Sequence, residues 1–137
     1  MLSQDRAALN RNMRLALADA APDMPFYLAD DVYEPDESRT WTAFAFNPDE
    51  ATRHTISTPT IWKQVGIATL QIMQPKDLLI AEGEHDAWDI ADIGMTAFKG
   101  WRSDDKLTEI AHFSTQRIPN DHYVQLNLLI FWRSKRP

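Results

Sequence analysis

The chain has 137 residues, enough for one domain spanning 1–137 and too few for two of ordinary size. Hydrophobic residues make up 44% of it, which is enough for a buried core and excludes a largely disordered chain. The net charge of −6 disfavours direct nucleic-acid binding, and the lack of cysteine excludes disulfides, zinc–thiolate sites and thiol nucleophiles.

Neither a secretion signal nor a membrane span is expected. The first residues, MLSQDR, lack the basic segment and apolar run of a signal peptide. No stretch approaches the roughly 20 apolar residues that cross a bilayer. The sequence therefore predicts a protein made in the cytoplasm that has no membrane partner.

The first predicted element is a helix over 5–20, with Ser3 or Asp5 as a possible cap. Apolar residues recur there at steps of three and four, as on the buried stripe of a helix. Pro22 and Pro25 end it. Residues 22–39 have no regular pattern and many acids, but they also hold several aromatic side chains. We expect this segment to lie against the edge of the domain.

Two strands come next, separated by a long connection. Residues 40–46 are β-prone and apolar on both faces, which predicts a strand covered on both sides. Residues 49–64 are rich in threonine and contain Pro59, so they predict a long hairpin loop of the kind that is often functional. Residues 66–74 alternate between apolar and polar side chains up to Pro75, as a half-buried strand does.

The second half of the chain predicts a helix over 81–98 and a final hairpin. Acidic residues gather toward the start of that helix, where its dipole favours them, and Gly100 can cap its end. Strands are expected over 108–117 and 123–133. The last has one unbroken apolar face, so it should be the core strand with a firmly set register. A basic tail, 133–137, is predicted to be solvated, or to meet an acidic surface in an assembly.

These elements define an α+β fold. We predict a single mixed, mostly antiparallel sheet of about four to five strands, with two main helices packed on it.

The sequence offers no catalytic, cofactor or metal site. The four histidines lie on four different elements, and the spacing of His85 and Asp89 lacks a third ligand or an HExxH pattern. There is no GxSxG, and four glycines cannot build a phosphate-binding loop. Adjacent acids such as Asp104 and Asp105 are expected to be solvated. We therefore expect a protein that is not an enzyme.

Three stretches carry a family resemblance: GIATLQIMQP (66–75), ADIGMTAFKGW (91–101) and DHYVQLNLLIFWR (121–133). With the order of elements, they resemble the tail terminator proteins, also called minor tail or tail-completion proteins, of long-tailed bacteriophages (siphophages) and prophages. The resemblance implies a structural virion protein that forms a hexameric ring on the finished tail tube. Such a ring stops tube polymerisation and presents a surface for head–tail joining.

The resemblance also implies partners and a place. The partners would be further copies of this chain, the major tail-tube protein and the head-completion or connector proteins; the place would be the head-proximal end of the tail. The resemblance implies no catalytic residues. A ring needs two different contact patches on each subunit. The candidate interface residues are Arg53, His54, Ile56 and Trp62 in the loop, with Arg133, Lys135 and Arg136 in the tail.

Three alternatives stay open from the sequence alone. The chain could be another head–tail joining protein of the neck, a small enzyme using an Asp/His pair, or a ligand-binding module. An enzyme would need polar residues that converge in an apolar pocket. A ring subunit would expose apolar side chains on two separate faces.

Overall fold

The computed structural model describes residues 2–55 and 60–137, and in them two helices pack on one five-stranded sheet. The predicted α+β class, with a single mixed sheet and two main helices, is confirmed. The elements in chain order are α1 (Leu2–Ala20), β1 (Phe26–Leu28), β2 (Trp41–Arg53), β3 (Trp62–Pro75), α2 (Ala87–Phe98), β4 (Thr108–Ile118) and β5 (Tyr123–Arg136).

The strands lie side by side in the order β1-β2-β3-β5-β4. All neighbours are antiparallel except the short β1, which runs parallel to β2. β3 is central and pairs with β5 without interruption from Trp62↔Arg136 to Pro75↔Tyr123. This long central pair sets which side chains share each face of the sheet.

The main core lies between the sheet and both helices. Strand β5 contributes the face predicted for it, with Leu126, Leu128 and Ile130 all at 0–1% exposure. Every second residue of β3 joins them, and α1 and α2 each add an apolar stripe. Burying each large apolar side chain stabilises the fold by about 1.5–3 kcal/mol. The two-residue alternation of β3 and β5 therefore fixes the side on which the helices pack.

A second, smaller core covers the opposite face at one end of the sheet. Trp41 lies there with the rings of Tyr27 and Tyr33, which stack on each other at 4.5 Å. Tyr123 packs against the same group. This cluster explains why the first half of β2 is buried on both faces and why the irregular segment 22–39 carries aromatic residues.

Of the twelve described residues in the predicted loop over 49–64, eight lie in strands. β2 continues to Arg53, and β3 begins at Trp62. A bulge between Pro48 and Ala51 interrupts the pairing next to the proline, which has no N–H to donate. Gln64 holds this part of the hairpin together, because its buried side-chain amide donates to the Asp49 carbonyl at 3.1 Å. The polar, threonine-rich sequence led to the prediction of a loop because the second half of β2 faces solvent and has no apolar alternation.

The second helix is shorter than its predicted range of 81–98. It begins at Ala87, because Asp86 forms a capping box: its carboxylate accepts from the Asp89 N–H at 2.8 Å, and Asp89 accepts in return from the Asp86 N–H at 3.1 Å. The acids before Asp86 precede the helix and lie outside its first turn.

Candidate assembly interface

One face of the sheet carries neither helix, and we call it the open face. It is formed by the residues of β3 and β5 that alternate with the core residues, and by their neighbours on β4. Away from the aromatic cluster around Trp41, its members are half-buried or exposed. The part away from the aromatic cluster contains Lys63, Val65, Ile67, Glu109, His112, Leu129, Phe131, Arg133 and Lys135.

A shallow hollow of about 250 Å³ lies on the open face. Val65, Ile67 and Phe131 supply its apolar lining, and His112 stacks on the Phe131 ring at a centroid distance of 4.0 Å. Asp49 lies on its rim. Apolar groups exposed together beside charged ones are typical of a protein-binding surface.

The end of the open face next to the hollow is basic. Lys63 and Lys135 are direct cross-strand partners. Two like charges opposite each other destabilise a sheet. Within residues 2–55 and 60–137, no carboxylate forms a salt bridge with either lysine. The nearby Glu109 is shared between Arg133 at 2.8 Å and Arg102 at 3.3 Å. The hydrogen bond from Arg133 lowers the pKa of Glu109. The Glu109 carboxylate therefore stays ionised and paired with the two arginines.

The predicted interface residues that the structure describes lie at this end of the sheet, but they are divided between its two faces. The register places Arg53 beside Trp62, and Trp62 beside Arg136. Arg53 and His54 are exposed, and Trp62 keeps 41% of its surface in solvent. Ile56 lies outside the described residues. Because side chains alternate along β3 and β5, Trp62 lies on the helix-bearing face with Gln64 and Arg136, whereas Arg133 and Lys135 lie on the open face.

The predicted basic tail is a continuation of β5, and Arg136 cannot serve as a surface contact. Its side chain is 4% exposed and donates to Asp5 at 3.0 Å, to Asp105 at 2.5 Å and to Thr108 at 2.9 Å. Asp5 accepts further hydrogen bonds from Thr108 and Ser134. This network ties the start of α1 to the end of the sheet. Arg133 and Lys135 do stay exposed.

Asp105 makes part of the stability dependent on pH. Hydrogen bonds from Arg136, then Ser103 and the Leu107 N–H, lower its pKa from 3.8 to about 2. Because the pKa is depressed in the folded state, its contribution is complete above 3.8 and is lost as the pH falls toward 2. Asp105→Asn should therefore flatten the loss of stability in that window, measured by urea unfolding at a series of pH values.

The matched control for this measurement is Asp104→Asn. The Asp104 side chain is 98% exposed, and in the described part of the chain its one ion pair is with Arg11 at 3.4 Å. Asp104→Asn should therefore leave the dependence of stability on pH the same as in the parent protein. Equal acid profiles for Asp105→Asn and the parent protein would show that the hydrogen bonds to Asp105 do not stabilise its charge.

In the described ranges, no three His, Cys, Asp or Glu side chains are grouped to hold a metal ion. His85, the histidine with ligand-like spacing, instead has its Nε2 3.1 Å from the Ala20 carbonyl oxygen. None of the described helices is long and apolar enough to cross a membrane.

Sequence reasoning missed Lys63, Val65, Ile67 and Phe131 as surface groups. The signal was present, since they occupy the positions between the core residues of β3 and β5. It was hidden because three of them are apolar and fit a core equally well. Only the one-sided placement of the helices shows that they face outward.

Comparisons with known proteins bear on the fold. No protein-family model and no curated protein sequence matches the chain. Among solved structures, 23 chains are similar to it. One of them, whose name states no function, superposes with a TM-score of 0.70 at 14% identity, over 98% of this chain and 95% of its own. The whole chain thus has the α+β architecture of a known fold.

Proposed function

We propose that this chain is a structural virion protein that caps the tail tube of a long-tailed bacteriophage as a ring, a hexamer according to its family resemblance. It would end tube polymerisation and form the interface to the head–tail connector, without enzymatic chemistry. The observation that carries the proposal is the sheet shielded by helices on one face only. The other face keeps apolar and basic groups in solvent.

The edges of the sheet support the same role. Apart from one bridge between Arg102 and Glu109, β4 pairs with β5 alone among the described residues. From 112 to 118 its sequence, HFSTQRI, has no proline or lysine to discourage pairing with another chain. At the opposite edge, β1 has only three residues. Neighbours on the two sides would therefore meet different surfaces, as contacts that close a ring require.

The family resemblance supplies the particular assembly. The stretches GIATLQIMQP, ADIGMTAFKGW and DHYVQLNLLIFWR fall on β3, on α2 with its end, and on β5. The partners that follow are further copies of this chain, the major tail-tube protein and the connector proteins. The location that follows is the head-proximal end of the tail.

Deletion of the gene from its phage or prophage tests this function. We expect tail tubes of uncontrolled length that carry no heads, seen by electron microscopy, and recovery of normal particles when the protein is supplied from a plasmid. Tails of normal length without heads would identify a neck protein instead. Normal infectious particles after deletion would contradict a role in assembly.

A further inference from the structure

The basic end of the open face has two lysines that form no salt bridge within residues 2–55 and 60–137. Lys63 and Lys135 oppose each other directly, and Glu109 on the neighbouring β4 already pairs with two arginines. The hollow beside them is lined by Val65, Ile67 and Phe131. An occupant that fits both features must carry carboxylates next to a small apolar side chain.

The segment 30–37 of this same chain has that composition. Its sequence, DDVYEPDE, holds five carboxylates, and Val32 among them is fully exposed at 102%. Asp36 is committed to hydrogen bonds from Ser38. In the part of the chain that the structure describes, Asp30, Asp31 and Glu34 form no salt bridge. An exposed apolar side chain between carboxylates that form no salt bridge is complementary to an apolar hollow beside two lysines.

We propose that a second copy of this chain docks its 30–37 segment on the open face, with Val32 in the hollow and its flanking carboxylates against Lys63 and Lys135. This inference rests on the proposed ring and names the two different patches through which neighbouring subunits meet.

The contact must form between copies. Tyr33 is stacked on Tyr27 beside Trp41, and Trp41 pairs with Met73 in the sheet. The hollow lies near Ile67, six residues before Met73 in β3, which is roughly 20 Å at about 3.3 Å per residue. The aromatic stack thus holds Val32 away from the hollow of its own subunit and presents it to a neighbour.

The contact is small and largely electrostatic, so it should be weak and sensitive to salt. A stable interface buries roughly 1,600 Å² in total, more than one short segment supplies. Salt at about 1 M reduces the Debye length to about 3 Å, against about 30 Å at 10 mM. We expect the isolated protein to associate as its concentration rises at low salt, and to dissociate at high salt.

Sedimentation velocity on two complementary variants tests the proposal. The first, Lys63→Glu/Lys135→Glu, removes the basic patch; the second, Asp30→Asn/Asp31→Asn/Val32→Ser, removes the docking segment. Each alone should associate at least roughly tenfold more weakly than the parent protein. Mixed together, they should form a one-to-one complex and nothing larger, because each keeps the half that the other lacks. The control Lys76→Glu/Lys99→Glu makes the same charge change elsewhere and should associate like the parent.

Three results would overturn the proposal: a parent protein that stays monomeric at low salt, variants that associate as strongly as the parent, or a mixture that forms no complex. Adding a short duplex DNA tests whether the basic patch binds phosphate groups instead of a second copy of this chain. Binding of DNA that is lost in Lys63→Glu/Lys135→Glu, without self-association of the parent, would assign the patch to phosphates. Closed rings on tail tubes built by both variants would reject this contact and leave the ring function standing.

Discussion

Arg136→Ala is expected to lower the free energy of unfolding by about 3–5 kcal/mol, the usual cost of removing one partner from a buried ion pair. Asp5 is fully buried and would lose Arg136, its one cationic partner within residues 2–55 and 60–137, although Thr108 and Ser134 would still donate to it. The substitution also removes one of the two β5 side chains that bind α1 through Asp5, the other being Ser134. Equilibrium urea unfolding measures the change directly.

Two further variants separate charge burial from simple loss of packing. Arg11→Ala breaks an exposed pair, with side chains 70% and 98% in solvent, and should cost less than about 1 kcal/mol. Asp5→Leu/Arg136→Met replaces both buried charges by apolar groups and should recover much of the stability lost in Arg136→Ala. If Arg136→Ala costs no more than Arg11→Ala, the buried network does not hold the end of the sheet.

Gly66→Ala is the second substitution with a large expected effect. A Cβ at Gly66 would lie 2.5 Å from Cζ2 of Trp132 and 2.7 Å from the Asn47 carbonyl oxygen. Neither neighbour yields easily, since Trp132 is buried and stacks on Phe46 at 5.1 Å. Overpacking of this kind costs about 1–3 kcal/mol. Thermal unfolding and near-ultraviolet circular dichroism should show lower stability and an altered tryptophan environment.

Gly94→Ala is the matched control. Its Cβ would approach Cδ2 of Leu128 at 2.8 Å, but that methyl group ends a flexible side chain. Alanine also favours the α2 helix over glycine by about 1 kcal/mol, which offsets the crowding. The net change should stay within about 1 kcal/mol. A larger loss for Gly94→Ala than for Gly66→Ala would contradict the view that rigid neighbours decide the cost.

Local patterns predicted most of the fold. The unbroken apolar face of β5 and the alternation of β3 follow from a side-chain period of two, which a buried sheet face enforces. The helical stripe of α1 follows in the same way from a period of 3.6. These signals are local, so one sequence suffices to find them. Strand β1 was not predicted, because three residues are too few to show a periodic pattern.

The buried network could not be predicted, because its members are far apart in the chain. Asp5 and Arg136 are 131 residues apart, and each has an ordinary local explanation, as a helix cap and as a solvated tail. Their pairing depends on α1 crossing the end of the sheet. The basic patch has the same origin, since Lys63 and Lys135 become neighbours only through the β3–β5 register.

Electron microscopy of tail tubes mixed with the purified protein tests the central claim most directly. The account predicts one closed ring of this chain at one end of each tube, with the open face of every subunit in contact with its neighbour. Protein scattered along the sides of the tubes, or tube ends that stay bare at saturating protein, would contradict it.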